Sequence, residues 1–265
     1  MKKIAVFVIL SVILASCATT PNKYSQSSSA MSKKVVTLNY EMARNIILHK
    51  DYTNLSQAFI YLNKAISISP NDAKLYYMKA LAYQLRHNDN EMFNYLKKCI
   101  EKDKNFYDCI NALGIYYFEK HQYKKAEELF GKIIDNPTYP HTDIAFFNRA
   151  QVYEKENEMG KAVSDAESAL MFSNYSNKVY WQYLINLNIK QKHYTNALNN
   201  LNSMEKYTGK SDYTHYTKAL CYTNLSMYDR AKDELKQVSK DNTEYAVAKE
   251  KLLKRISRHD SNTNN

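Results

Sequence analysis

From Val36 onward the apolar positions fall into a recurring unit. Its clearest copy is Tyr107 to Lys132, YDCINALGIYYFEKHQYKKAEELFGK. Leu113, Gly114, Tyr117, Tyr123, Ala126 and Phe130 are spaced so that two helices joined by a tight turn each present one apolar face. Gly114 and Ala126 are small where the helices of such a hairpin cross closely. Tyr117 and Phe130 fill the space beside the crossing. One hairpin cannot bury both faces alone, so it must stack on copies of itself.

A small residue in the first helix and an Ala in the second mark six units, whose starts lie about 34 to 37 residues apart. Period and markers resemble the tetratricopeptide repeat (TPR). They predict an all-α, right-handed superhelix of six helix-turn-helix repeats with a C-terminal capping helix. The first unit, Val36 to Pro70, carries Ala43, Ala58, Leu62 and Ala65. Its markers lie about three residues further apart than in the repeat consensus, so HKDYTN is expected to lengthen the turn. The second, Ala73 to Phe106, carries Ala80, Tyr83, Leu96 and Cys99, with Met92 at the second small position. After the third, NPTYPHT (Asn136 to Thr142) stops the helix and resets the chain direction. Ala150, Tyr153, Ala162, Ala166 and Ala169 mark the fourth unit. Trp181, Leu184, Tyr194, Ala197 and Leu201 mark the fifth, and Ala219, Tyr222, Tyr228, Ala231 and Leu235 the sixth. A last amphipathic stretch, Glu244 to His259, is expected to cover the open end of the stack. The predicted solenoid spans residues 35–258, and a disordered tail follows over 259–265.

In TPR stacks the first helices line a concave groove with their second, fifth, ninth, twelfth and thirteenth positions. In repeats one to three these positions include Tyr40, Ile47, Leu48, Tyr77, Leu81, Leu85, Ile115 and Phe118. In repeats four and five they include Gln151, Glu154, Lys155, Gln182, Asn186 and Lys190. The N-terminal half of the groove is thus the more apolar, and an apolar groove on a scaffold marks a binding site. An amphipathic helix or apolar segment of a client protein suits it. The competing occupant is the chain itself, through Tyr40 or the N-terminal tether.

Composition agrees with long helices: 45% of residues are hydrophobic, and four Gly and four Pro among 265 residues are too few for a turn-rich β fold. The formal charge of +10 falls to about +8 without Lys2 and Lys3 and is spread over solvent faces, with no block of five like charges. The 24 Tyr read as helix-packing residues rather than a nucleic-acid stacking platform. No catalytic or metal constellation emerges. The seven His are scattered without zinc-ligand spacing, and Glu154, Glu156 and Glu158 read as a solvated turn. So little Gly leaves no phosphate-cradling loop. Cys99 and Cys109 flank the turn between the second and third repeats. A disulfide between them and two packed thiols are both compatible with that placement, and Cys221 reads as a core thiol.

The N-terminus adds localisation. Met1 to Ser16 has two Lys before a short apolar run, the pattern of a secretory signal. Leu14-Ala15-Ser16-Cys17 resembles the lipobox of bacterial lipoproteins, with Cys17 as the lipidated (palmitate-bearing) residue. Ala18 rather than Asp implies sorting to the outer membrane, with the domain facing the periplasm on acyl chains. The polar, Ser-rich stretch after Cys17 reads as a flexible tether, over 17–34.

A lipobox, a tether, six TPRs and a short last helix in this length are together similar to the type IV pilus biogenesis and stability lipoproteins, the pilotins. The sharpest local match is NPTYPHTDIAFFNRAQVYEK, Asn136 to Lys155. That family carries a Tyr-Pro break after its third repeat and an Asn in the next helix, here Tyr139, Pro140 and Asn148. Leu113-Gly114 and Gln122-Tyr123 also sit where that family has similar residues. The widened first repeat and the Tyr and Asn content depart from it. The resemblance implies a non-enzymatic scaffold whose client is a subunit of the secretin, the outer-membrane ring through which the pilus emerges. It implies no cofactor beyond the lipid on Cys17, and no nucleic-acid or small-molecule partner. A second reading is a TPR lipoprotein of the β-barrel assembly machinery, which usually has five repeats and longer helices, or a general periplasmic adaptor. An enzyme decorated with TPRs finds no room for its catalytic domain.

Overall fold

The computed structural model describes residues 23–136, 138–239 and 243–263. The signal over 1–16, the lipobox Cys17 and the start of the tether lie outside the described residues. So do Pro137 and the last two residues of the expected tail. Among the described residues there are thirteen helices and no strand. They stack as six antiparallel hairpins. α1 (Lys23–Leu48) pairs with α2 (Leu55–Ile68), and α3 (Ala73–Leu85) with α4 (Asp89–Lys102). Next come α5 (Tyr107–Glu119) with α6 (Tyr123–Ile134), and α7 (Thr142–Lys155) with α8 (Met159–Phe172). Last are α9 (Lys178–Lys190) with α10 (Tyr194–Thr208), and α11 (Asp212–Asn224) with α12 (Tyr228–Gln237). Each hairpin packs on the next, giving the helical repeat superhelix. α13 (Thr243–Thr263) closes the end: its Leu252 and Ile256 are buried against Ala219, Ala231 and Leu235.

The small residues sit at the crossings. Ala43, Ala58, Ala80, Ala126, Ala150, Ala162, Ala197, Ala219 and Ala231 are all fully buried. Gly114 is the tightest case, because a Cβ built there meets Phe130 Cε1 at 2.6 Å. Phe130 is itself sealed in the core and cannot retreat.

Hairpin turns follow one design. In repeats two to six three residues join the helices, and the middle one adopts a left-handed φ: His87, His121, Asn157, Lys192 and Ser226. The two amides that follow each helix return to its last turn, as in Lys192 N to Ile189 O at 2.9 Å and His193 N to Asn188 O at 2.8 Å. This is the Schellman arrangement, which satisfies otherwise orphaned carbonyls, and Gly is the residue that adopts it without strain. The first turn is longer, as HKDYTN predicts: residues 49–54 link α1 to α2. Asp51 holds this link by accepting from Asn54 N at 3.1 Å and Asn54 Nδ2 at 2.8 Å.

Two boundaries differ from expectation. Residues 23–34, read as part of the tether, continue α1, and Met31 stands exposed on it. Extending a helix already nucleated by its packed half, from Val35 on, costs little per residue. Likewise α13 runs on to Thr263, through most of the expected tail. Cys99 and Cys109 are joined in a disulfide across the α4–α5 turn, with Cα atoms 6.5 Å apart. Cys221 is a free buried thiol, and burial pushes its pKa up to about 12, which keeps it inert.

Gly114→Ala should destabilise the fold by about 1–2 kcal/mol, because overpacking against Phe130 outweighs the gain in helix propensity. Lys192→Gly should stabilise it by about 0.5–1 kcal/mol, since relief of the left-handed φ exceeds glycine's added chain entropy. Thermal unfolding followed by circular dichroism reads both, with midpoints moving in opposite directions.

Candidate partner-binding groove

The groove is built by the first helix of each hairpin. Asp72 starts α3 by accepting from Lys74 N at 3.1 Å, and Asn177 starts α9 by accepting from Val179 N at 2.9 Å. Such caps satisfy free amides of the first turn and fix the register of the face. In the first three repeats the groove carries aromatic and aliphatic side chains beside the polar Lys74, Asp108 and Asn111. Tyr40 is half-buried, with Lys74 Nζ 4.3 Å above its ring. Tyr77 packs against Phe106 with ring centroids 5.7 Å apart. Leu81 and Leu85 are half-buried against the first hairpin's core, Ile115 and Phe118 against that of the third. Leu48 is exposed at the end of α1.

Ile47 does not join this surface. It is buried with Leu55 and Phe59, because the six-residue link returns α2 beneath the end of α1. Residues 23–34 of the expected tether extend α1. The expected contrast between an apolar N-terminal half and a polar C-terminal half is also weaker than the sequence reading held. Gln151 and Gln182 are half-buried, and Lys155 and Asn186 are exposed. The same strip also carries exposed Ile144 and Val179, and Phe147 lies 5.2 Å from the Tyr183 ring. Ile144 and Val179 are second positions and Phe147 a fifth, so the positional rule that named Tyr40 and Tyr77 would have found them; Tyr183, a sixth position, falls outside that rule.

Polar contacts tie neighbouring repeats together along the groove. Tyr139 OH donates to Asp108 Oδ1 at 2.8 Å, and Asn148 Nδ2 donates to Asn111 Oδ1 at 2.9 Å. Tyr139 and Asn148, two of the residues that carry the pilotin resemblance, thus bind the fourth repeat to the third across the NPTYPHT break. Tyr180 OH donates to Asp143 Oδ2 at 3.0 Å, and Lys190 pairs with Glu154. Burial is the largest influence on the groove tyrosines. It raises Tyr77 to about 12, helped by Asp108 and Tyr40, and it also raises Tyr40, Tyr139, Tyr180 and Tyr183. These hydroxyls therefore stay protonated and act as neutral donors beside an apolar surface. Among the described residues, no group of three His, Cys, Asp or Glu could hold a metal ion, and no helix is long and apolar enough to cross a membrane.

The raised Tyr77 value carries a sign. The neutral phenol is favoured by the fold, so its contribution is complete below pH 10 and is lost as pH rises towards about 12. A phenolate absorbance titration of the native chain minus that of Tyr77→Phe should show one proton released near 12. A difference centred near 10 would mean that water reaches this hydroxyl freely.

No protein-family model matches the chain, and no curated protein sequence matches it. Solved structures do. The chain is similar to PilF of Pseudomonas aeruginosa, with a TM-score of 0.66 at 17% identity over 83% of this chain and 99% of that one. It is similar to PilW, described as a widely conserved type IV pilus biogenesis factor, with a TM-score of 0.64 at 14% identity over 78% and 93%. YrrB, a TPR protein with an unusual peptide-binding site, gives a TM-score of 0.56 at 17% identity over 71% and 97%. At these identities the likeness shows the fold: an all-α superhelix of TPR hairpins.

Proposed function

We propose that this chain is a lipid-anchored scaffold at the periplasmic face of the outer membrane. It binds a secretin subunit of a type IV pilus and promotes that subunit's localisation or multimerisation, and through it pilus assembly. The observation that carries the reading is the apolar and aromatic groove along α1, α3 and α5 on this fold. Tyr40, Tyr77, Leu81 and Phe118 offer a strip about three helices wide that suits one amphipathic helix of a client. The fold shared with PilF and PilW supports the choice of client, as do the Tyr139-Pro140 break and Asn148. Cys17 supplies the anchor, and acyl chains rather than a spanning helix hold the domain at the membrane. The function is non-enzymatic: binding and placement are the whole activity.

Leu81→Asp with Phe118→Asp should abolish co-purification of the secretin subunit while the helical circular dichroism spectrum is retained. Leu48→Asp, at an exposed position, should weaken it without any risk to the core. Asn186→Asp, in the fifth repeat, should leave it unchanged. Unaltered capture by the Leu81→Asp, Phe118→Asp double variant and by Leu48→Asp would sink the groove reading.

A further inference from the structure

Between consecutive hairpins lies a slot on the side away from the groove. Its walls are the second helix of one repeat and both helices of the next. On each first helix it is lined by positions four, seven and eleven, which at about 100° per residue lie opposite the groove positions. The seventh position of each first helix faces the slot, and Lys79, Leu113, Arg149, Leu184 and Lys218 stand there in repeats two to six.

The three cations are turned inward and matched. Lys79 Nζ donates to Asn63 Oδ1 at 2.6 Å and lies 4.5 Å over the Tyr95 ring. Arg149 makes a two-pronged contact with Asp165 at 2.7 and 3.0 Å. Lys218 Nζ donates to Glu205 Oε2 at 2.6 Å. The two leucine slots carry no such pair; cavities open beside Leu113, about 450 Å³, and beside Leu184, about 420 Å³, and a third of about 500 Å³, lined mainly by polar and charged side chains, opens in the repeat-six slot beside His215 and Tyr222.

The two leucine-slot cavities are built differently at equivalent positions. Beside Leu184 the rim carries Glu167, the wall carries Asn200, and aromatic rings crowd the mouth. Tyr175 stacks on Tyr207 at 5.0 Å, and Trp181 Nε1 donates to Tyr175 O at 2.9 Å. Beside Leu113 the corresponding residues are Lys97 for Glu167, Leu129 for Asn200, Asn105 for Tyr175 and Ile110 for Trp181. The floor is therefore mostly aliphatic, made by Ile100, Ile110, Leu113 and Leu129 with the ring of Tyr117. Lys97, Lys104 and Lys132 stand around it with one carboxylate, Glu101. Lys104 and Lys132 make no hydrogen bond or ion pair among the described residues. The Cys99–Cys109 disulfide joins the two walls directly beside Ile100 and Ile110. A preformed apolar cavity of this size with a few charges at its edge is the usual form of a ligand site.

We propose that this slot is a second binding site, which takes an extended acidic peptide segment that inserts a bulky apolar side chain between flanking carboxylates. The charge pattern selects the peptide. Lys97 lies on α4 and Lys104 in the turn just past its end, with Lys132 on the facing helix α6. One anionic headgroup meets one end of that rim, whereas carboxylates on both sides of an apolar anchor meet all of it. The site is separate from the groove and does not depend on what the groove holds.

The test is fluorescence anisotropy of the purified full chain with a fluorescein-labelled peptide, Asp-Glu-Leu-Phe-Glu-Asp. Saturable binding is expected. It should weaken at least about tenfold in the Lys97→Glu, Lys132→Glu double variant, because both changes are exposed and reverse the rim charge. Leu129→Asn, which copies the slot beside Leu184, should weaken it similarly, and Leu81→Asp in the groove should not affect it. Replacing the peptide's carboxylates by amides, or its Leu-Phe by Ser-Ser, should also abolish binding. Absence of saturable binding, or binding indifferent to the lysine reversals or to the amide peptide, would overturn the proposal. So would displacement of the probe by dodecanoate at or below the concentration of unlabelled peptide that displaces it, which would reassign the slot to an acyl carboxylate.

Discussion

The ring of Phe130 against the bare Cα of Gly114 is the tightest instance of the constraint on which the superhelix depends. Two helices of a hairpin approach closely only where a side chain is nearly absent. Ala43 with Ala58, Ala150 with Ala162, and Ala219 with Ala231 meet the same requirement elsewhere. Once those crossings are fixed, each hairpin exposes an apolar face that only another hairpin can cover, and the stack propagates until α13 closes it with Leu252 and Ile256. Groove and slots are by-products of that stacking: one side of each first helix faces the groove, the other the seam between repeats.

Much of this was legible in the chain. Two-helix periodicity, small-residue markers and the long HKDYTN link describe local requirements, and local requirements are written at fixed spacings. Tyr139 and Asn148 were visible as a pattern; their bonds to Asp108 and Asn111 show that they tie the fourth repeat to the third across an irregular join. Three things were not legible. Ile47 sits at a groove position by count, yet the longer turn draws it into the core. Residues 23–34 have the composition of a tether, yet they adjoin a packed helix and continue it. The fate of each seventh-position residue is decided by partners that are distant in sequence in some cases, such as Asp165 for Arg149 and Glu205 for Lys218.

The two faces suit different chemistry. The groove presents neutral tyrosines and aliphatic side chains, whose affinity comes from burying apolar area and whose hydroxyls remain donors. The slot beside Leu113 combines an aliphatic floor with unmatched lysines, which favours partners of one sign. A scaffold with two such surfaces can hold one protein while engaging another.

The central claim is that this fold serves a pilus secretin. Its most direct test is the heat- and detergent-resistant secretin multimer in outer-membrane fractions of cells with and without this chain. The account predicts that without it the multimer is lost or mislocalised while other outer-membrane proteins stay at normal levels. An intact multimer alongside a general fall in β-barrel proteins would contradict it.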